Sequence, residues 1–276
     1  MPHKTKPKSG FWKLAIALAI ALAITSLLGY GVIIEPRWVV VTPLQKQVGL
    51  KGATFKIVQL SDLHLSGMGA TEEAALRHLK AVQPDLILLT GDVIGDRHAL
   101  PALEDFLKSL PDAIKVAILG NWEHWSGADL QQLSALYKRH QVRLLVNECM
   151  PLVVNGVPLS LAGLDDYTAG QPDLVRTLQQ CTQGAPIIMA QHSPGMFDEA
   201  PSPELGQIAY SLAGHTHGGQ VAVGKHALFT PRGSGRYVAG SYQTAWGDLY
   251  VSRGIGTSVM PLRIGARPEM VLLELR

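Results

Sequence analysis

Five short polar clusters stand at the ends of apolar runs in this chain: Asp62-Leu-His64, Gly91-Asp92, Gly120-Asn121, Gln191-His192 and Gly214-His215-Thr-His217. Their side chains are carboxylates, imidazoles and an amide, which are the donors of a metal site. Imidazole suits zinc, iron and other transition ions, while carboxylate and amide oxygens suit harder ones, so the mixture points to Mn, Fe or Zn rather than Ca or Mg alone. Seven donors (Asp62, His64, Asp92, Asn121, His192, His215 and His217) exceed what one tetrahedral ion requires. Two divalent ions sharing one carboxylate would use them all and would clamp the attacking and leaving oxygens of an in-line displacement.

The charges agree with phosphoryl chemistry. Two divalent ions outweigh two aspartates and a bridging hydroxide, leaving a net positive site for an anionic substrate. The ions would also lower the pKa of the bridging water toward about 7, making a nucleophile at neutral pH without a serine or cysteine. Ser61 and Ser193 flank the donors, but no Gly-x-Ser-x-Gly elbow surrounds them, and there is no Gly-x-x-x-x-Gly-Lys loop for ATP.

Residues so far apart meet only if a fold brings them together. Phe55–Leu60, Asp85–Thr90 and Lys115–Leu119 read as short buried strands, with helical spacing over Thr71–Val82, opened by Thr71 as N-cap, and over Leu100–Leu110. A third helix is predicted over Asp129–His140 and a fourth over Asp173–Gln180. Strands are predicted at Val142–Leu145, Leu152–Val154, Pro158–Leu161, Pro186–Ala190, Ile208–Leu212, Val221–Val223, Leu249–Ser252 and Met270–Leu275. This order is α/β, two sheets with helices outside, and in a mostly parallel sheet the strand ends that carry the donors share one edge.

The chain has 276 residues, 47% hydrophobic and 17% charged, with a formal charge of +2. That balance, without a dense basic stripe, argues against a nucleic-acid partner. The apolar tilt comes mainly from residues 14–34, 21 positions without a charge, long enough as a helix to cross a hydrocarbon core of about 30 Å. Lys4, Lys6, Lys8 and Lys13 precede it, Trp12 and Trp38 bracket it, and Glu35-Pro36-Arg37 closes it. The reading is therefore a basic tail over 1–13, a transmembrane anchor over 14–34, a connector over 35–54 and a catalytic domain over 55–276. The lysines favour an internal N-terminus and a catalytic domain on the external side, and Arg37, Lys46 and Lys51 weaken that bias. Cys149 and Cys181 form no metal or redox motif and are expected as packed thiols rather than a disulfide.

Asp62-x-His64, Gly91-Asp92, Gly120-Asn121, His192 and Gly214-His215-x-His217, in this order, resemble the five signature blocks of the calcineurin-like metallophosphoesterases. Ser61-Asp-Leu-His64, Gly214-His-Thr-His-Gly-Gly-Gln220 and Val251-Ser-Arg-Gly-Ile-Gly-Thr-Ser258, with the preceding apolar span, look like the membrane-associated bacterial branch. The resemblance covers about Ile33 to Leu275. It implies a β-sandwich flanked by helices and hydrolysis of phosphomonoesters, phosphodiesters or pyrophosphates. A lipid-linked substrate is among these, such as UDP-2,3-diacylglucosamine in lipid A synthesis. It also implies one ion on Asp62, His64 and His217, another on Asn121, His192 and His215, and Asp92 bridging. Location would be the bacterial inner membrane, single-pass. The alternative is a non-catalytic, anchored metal-binding module.

One departure stands out. The family usually has a His directly after the Asn, contacting the phosphate and helping to protonate the leaving group, and here that residue is Trp122. His124, two positions on, is the candidate replacement as general acid. Glu123 reads either as an acceptor orienting a neighbouring imidazole or as a plain loop carboxylate. Arg253 with its glycines reads as a turn rather than a phosphate contact, and Arg232, Arg236 and Arg263 share that ambiguity. His3, His78, His98, His140 and His226 are expected on the surface or on helices.

Overall fold

Apolar runs with no polar alternation suit strands buried on both faces, and two stacked sheets supply those faces. The computed structural model describes residues 9–199, 208–224 and 226–276. Its first sheet has the order β1 (Val40–Lys46), β14 (Glu269–Leu275), β2 (Phe55–Leu60), β3 (Leu86–Thr90), β4 (Ile114–Ile118) and β5 (Val142–Leu144). The second runs β12 (Gly240–Thr244), β13 (Gly247–Val251), β9 (Ile208–Ala213), β8 (Ile187–Ala190), β7 (Val157–Gly163) and β6 (Glu148–Val154). A small hairpin, β10 (Ala222–Val223) and β11 (His226–Ala227), stands apart.

The period of two along each strand sorts the side chains between layers. Ile57, Leu86, Leu88, Val116 and Ile118 point inward against Leu159, Leu161, Ile188 and Leu212 of the facing sheet. Their neighbours Val58, Leu60, Ile87 and Leu89 point outward, under α2 (Ala70–Val82), α3 (Leu100–Ser109) and α5 (Leu130–Arg139), which contribute Leu79, Phe106 and Leu133. The second sheet's outer face, with Ile187, Met189 and Leu249, is covered by Phe197, Trp246 and the short helix α6 (Leu174–Gln179). Each such aliphatic side chain contributes about 1.5–3 kcal/mol on burial.

Strands β2, β3, β4 and β5 are mutually parallel, as are β7, β8, β9 and β13. Leu60 is level with Leu89 and Leu89 with Ala117, while Ala190 is level with Leu212 and Ala213 with Val251. The carboxyl ends therefore finish flush in both sheets. Gln59 pins the sheets together there, its Nε2 donating to Thr90 Oγ1 and to the Ala213 carbonyl, both at 2.9 Å.

Four local readings differ from the structure. Part of the expected connector is strand β1, paired with β14 along its full length from Val40 to Lys46. Helix α2 is capped at Gly69, whose N–H donates to Glu72 Oε2 at 2.9 Å, because Thr71 turns away to the Pro36 carbonyl. Strand β12, too polar to read as buried, exists through its pairing with β13. The cysteines are bonded, not free: β6 and α6 bring Cys149 and Cys181 to a Cα separation of 5.2 Å across 32 residues, and no spacing motif announces such a meeting.

The N-terminal helix α1 (Ser9–Gly29) continues through a wider turn at Tyr30–Ile34 and a tighter one at Glu35–Arg37. Over Gly10–Arg37 it is long and apolar enough to cross a membrane, and its sides are almost wholly exposed. Its end is docked onto the domain. Gly31 packs against Leu262 and Ile264 with no room for a Cβ, and its carbonyl accepts from Arg263 N at 2.9 Å. The buried Glu35 carboxylate accepts from Ala266 N at 2.8 Å. Lys4, Lys6, Lys8 and His3 lie outside the described residues.

Candidate metal centre

Each sequence-predicted donor follows a strand by two to four residues: Asp62 and His64 follow β2, Asp92 β3, Asn121 β4, His192 β8, and His215 and His217 β9. Reaching inward so soon after a strand demands sharp turns. Asp62, His64, Asp92, His215 and His217 all have positive φ, between 43° and 72°. Such backbone costs of order 1–3 kcal/mol per residue and concentrates at functional sites. Gly91 makes the close approach feasible: it has φ of 82°, and a Cβ there would lie 2.6 Å from Gly120 N.

The donors gather into two groups, Asp62–His64–His217 and Asp92–His192–His215, within each of which the ligand atoms lie within 4.8 Å of one another. One oxygen joins the groups: Asp92 Oδ2 lies 3.6 Å from His64 Nε2 and 3.3 Å from His192 Nε2. His64 and His217 hold their Nε2 atoms 3.0 Å apart, and His217 Nε2 is 3.4 Å from Asp62 Oδ1. The remote nitrogens are held by the fold. His192 Nδ1 meets the Thr90 carbonyl at 2.8 Å and His215 Nε2 the Arg232 carbonyl at 2.8 Å, which fixes ring orientation and leaves the other nitrogen facing the centre. Those facing atoms, His192 Nε2 and His215 Nδ1, are buried without a hydrogen-bond partner, and so is Asn121 Oδ1. A buried acceptor with no donor is costly, and three aimed at one place fit divalent cations.

Electrostatics agree with that fit. Burial holds His64 down to about 4, aided by His192 and Arg263, and lowers His217 and His215 as well, so these imidazoles are neutral with free lone pairs. Burial pushes Asp92 up, but the charge of His192, 3.3 Å from its Oδ2, outweighs it and brings the carboxyl down to about 2. His192 rises despite burial because Asp92 and Asp62 attract a positive charge at its Nε2, where a cation competes with the proton.

Glu123 does neither task expected of it. Its carboxylate is buried and accepts from the backbone N–H groups of Asp92, Val93 and Gly120 at 2.7–2.9 Å, tying the β3 and β4 loops together. Burial and the nearby Asp92 raise its pKa to about 7. Trp122 N–H donates to Asp92 Oδ1 at 2.8 Å, and the indole stands edge-on to His64, ring centres 5.4 Å apart.

A cavity of about 430 Å³ opens over the centre, lined by Asp92, Asn121, His215 and His217, by Trp122, Trp125, Phe229, Val259 and Met260, and by Arg232. His124 is not among these residues. It lies on the one-turn helix α4 (Asn121–Trp125), whose twist sets Trp122 and Trp125 beside Asn121 and carries His124 toward Asp165, 2.9 Å from its Nε2. His124 lines a different cavity, with Asn147 and Gln171. The expectation that it leans over the metals is therefore corrected.

The arginines separate as well. Arg253 pairs with Glu269 at 2.8 Å and Arg236 with Asp198 at 3.1 Å, while Arg232 lines both the metal cavity and a neighbouring one. Arg263, fully buried, fans its guanidinium onto the carbonyls of Ala266, Arg253 and Gly256 and reaches His217 Nδ1 at 3.4 Å. Nothing in its sequence surroundings, Leu-Arg-Ile, marks that role. His98 and His226 are exposed, and His78 and His140 are half-buried on or beside helices, as expected.

The profile of calcineurin-like phosphoesterases matches residues 55–219, more than half of the chain and all of its donors. This chain belongs to that family. A metallophosphoesterase of Bacillus subtilis, YkuE, is 31% identical over 230 residues, 80% of this chain and 79% of that one. The Escherichia coli phosphodiesterase YaeI is 30% identical over 94% of this chain and 96% of its own length. A Bos taurus transmembrane protein with a metallophosphoesterase domain is 29% identical over 96% of this chain and 63% of that protein. As a calcineurin-like phosphoesterase the protein is a metal-dependent hydrolase, and its two donor groups match a dinuclear centre.

Proposed function

We propose that this phosphoesterase hydrolyses a phosphodiester from the membrane surface. Asp62, His64 and His217 would hold one ion and Asn121, His192 and His215 the other, with Asp92 shared. The observation that carries the reading is Asp92 Oδ2, placed within 3.6 Å of an imidazole from each group, beside three buried donor atoms that have no other partner. When bound, the ions supply Lewis acidity and a water acidified to near neutral pH. The chain's own residues orient and hold. Thr90 and Arg232 carbonyls fix two rings, Glu123 holds the Asp92 loop, and Arg232, which lines the cavity, would supply a cation for an anionic oxygen there.

Trp122 favours the diester over the monoester. A diester carries one charge fewer and a second organic group, which suits an indole better than an imidazolium. The name of the relative YaeI points the same way. Pyrophosphates of lipid-linked sugars, such as UDP-2,3-diacylglucosamine, share the second substituent and would suit the same donor set.

Helix α1 supports single-pass anchoring in a bacterial inner membrane. The Cys149–Cys181 bond supports an outward-facing domain, because disulfides persist in oxidising compartments. The test is Asp92→Asn in the full chain supplied with Mn²⁺. Elemental analysis is expected to fall from two ions per chain, and hydrolysis of bis-p-nitrophenyl phosphate by more than about a hundredfold. Wild-type protein binding fewer than two ions, or unchanged turnover in the variant, would overturn the proposal.

A further inference from the structure

Exposed apolar side chains are unevenly spread over this molecule. Beyond the anchor and its flanking Trp38, seven large apolar side chains among the described residues are more than half exposed. Six of them, Trp125, Val223, Leu228, Phe229, Val259 and Met260, belong to the rim of the metal cavity or to the hairpin beside it, and only Val153 lies elsewhere. Val259 is 91% exposed and has φ of 48°, a backbone region that β-branched residues avoid, so the loop presents this side chain against both solvation and local strain. A contiguous patch of this kind on a folded chain marks an interaction surface.

The occupant follows from what the patch adjoins. Gly31, within one helical turn of the charged close of the apolar span, packs on Leu262 and Ile264. Ile264 is bonded to the hairpin, its carbonyl accepting from Ala222 N and its N–H donating to the Gln220 carbonyl, both at 2.8 Å. The Gln220 side chain in turn holds both the N–H and the carbonyl of Ser258, at 2.8 and 3.0 Å. The two loops that carry Leu228, Phe229, Val259 and Met260 are thus tied through Ile264 to the end of the span. Trp38 lies under Arg267 at 3.6 Å, an aromatic ring with a cation as found at membrane–water interfaces.

We propose that these two loops enter the outer part of the lipid bilayer beside the anchor and that the cavity draws an amphiphilic phosphoester from the leaflet. The phosphate would reach the metals near Arg232 while an acyl chain lies along Trp125, Phe229 and Met260. This inference rests on the membrane reading of α1. It also gives the apolar cavity wall a purpose that a soluble phosphoester would not require.

The experiment places an environment-sensitive nitrobenzoxadiazole label on single added cysteines in the full chain. The variants are Leu22→Cys in the anchor, Leu228→Cys and Val259→Cys in the two loops, and Val153→Cys at the far end of the second sheet. Each is reconstituted in nanodiscs of phosphatidylethanolamine and phosphatidylglycerol, with or without brominated acyl chains. The expected result is a blue shift and bromine quenching at 22, 228 and 259, with neither at 153. Quenching at 22 with 228 and 259 behaving like 153 overturns the loop proposal alone, whereas silence at 22 overturns the membrane reading beneath it. The two loops are independent positions, so failure of one variant to fold leaves the other to decide.

Discussion

Side chains that never touch the metals carry much of the site's precision. Glu123 is the acceptor for three buried backbone N–H groups on two metal loops. Stranding a buried donor costs about 1–3 kcal/mol, so Glu123→Ala is expected to lose about 3 kcal/mol or more of stability and to lower metal content. Thermal unfolding with elemental analysis checks both, and a stable variant with two ions would refute the clamp. His124 and Asp165 form a second pair whose contribution depends on pH. The hydrogen bond to Asp165 raises the half-buried His124 above its ordinary value, against burial. Burial pushes Asp165 up, but the bonds from His124 and the Gln171 N–H bring it below the usual carboxylate range. A raised imidazole stabilises fully below its unfolded pKa of about 6.5 and loses that contribution as pH climbs through the folded value. A depressed carboxyl stabilises above about 3.9 and loses it on acidification. The stability deficit of His124→Gln is therefore expected to be greatest between about pH 4 and 6.5 and to shrink on either side, as melting temperatures over a pH series would show. A deficit independent of pH would contradict the pair.

Among the elements, the strands and long helices were legible because their patterns are local. Phe55–Leu60 lies between turn residues and is buried throughout except Lys56, and Asp129 caps α5 by accepting from Gln131 N. Elements defined by a distant partner were not legible. Strand β1 reads as connector because none of its residues is fully buried and it owes its existence to β14, more than two hundred residues away. The Cys149–Cys181 bond belongs here too, since it staples β6 to the end of α6. Closing a loop of 32 residues is worth about 3–4 kcal/mol in the chain-entropy account. Cys149→Ser with Cys181→Ser is expected to lose that amount, read as a drop in denaturation midpoint that reductant reproduces in the wild type. If reductant leaves the wild-type midpoint unmoved, the staple contributes nothing.

For the whole molecule, the residue types and their strand-end positions were determined by sequence alone. An apolar run that stops at Asp, Asn or His states both that a strand ends and that a donor stands there, and parallel strands place such ends on one edge. The carboxylates and imidazoles that gather into the two groups, and the two-sheet architecture, followed from that local information. The tertiary structure decided everything that depends on long-range approach. It turned His124 to Asp165, set Glu123 on backbone rather than on imidazole, buried Arg263 between His217 and the N-terminal helix, and joined the apolar loops to the end of that helix. The reason is physical: a side chain's donors, charge and period belong to its own stretch of chain. Its partner, its burial and the direction it faces are settled only when two sheets and a docked helix close around it.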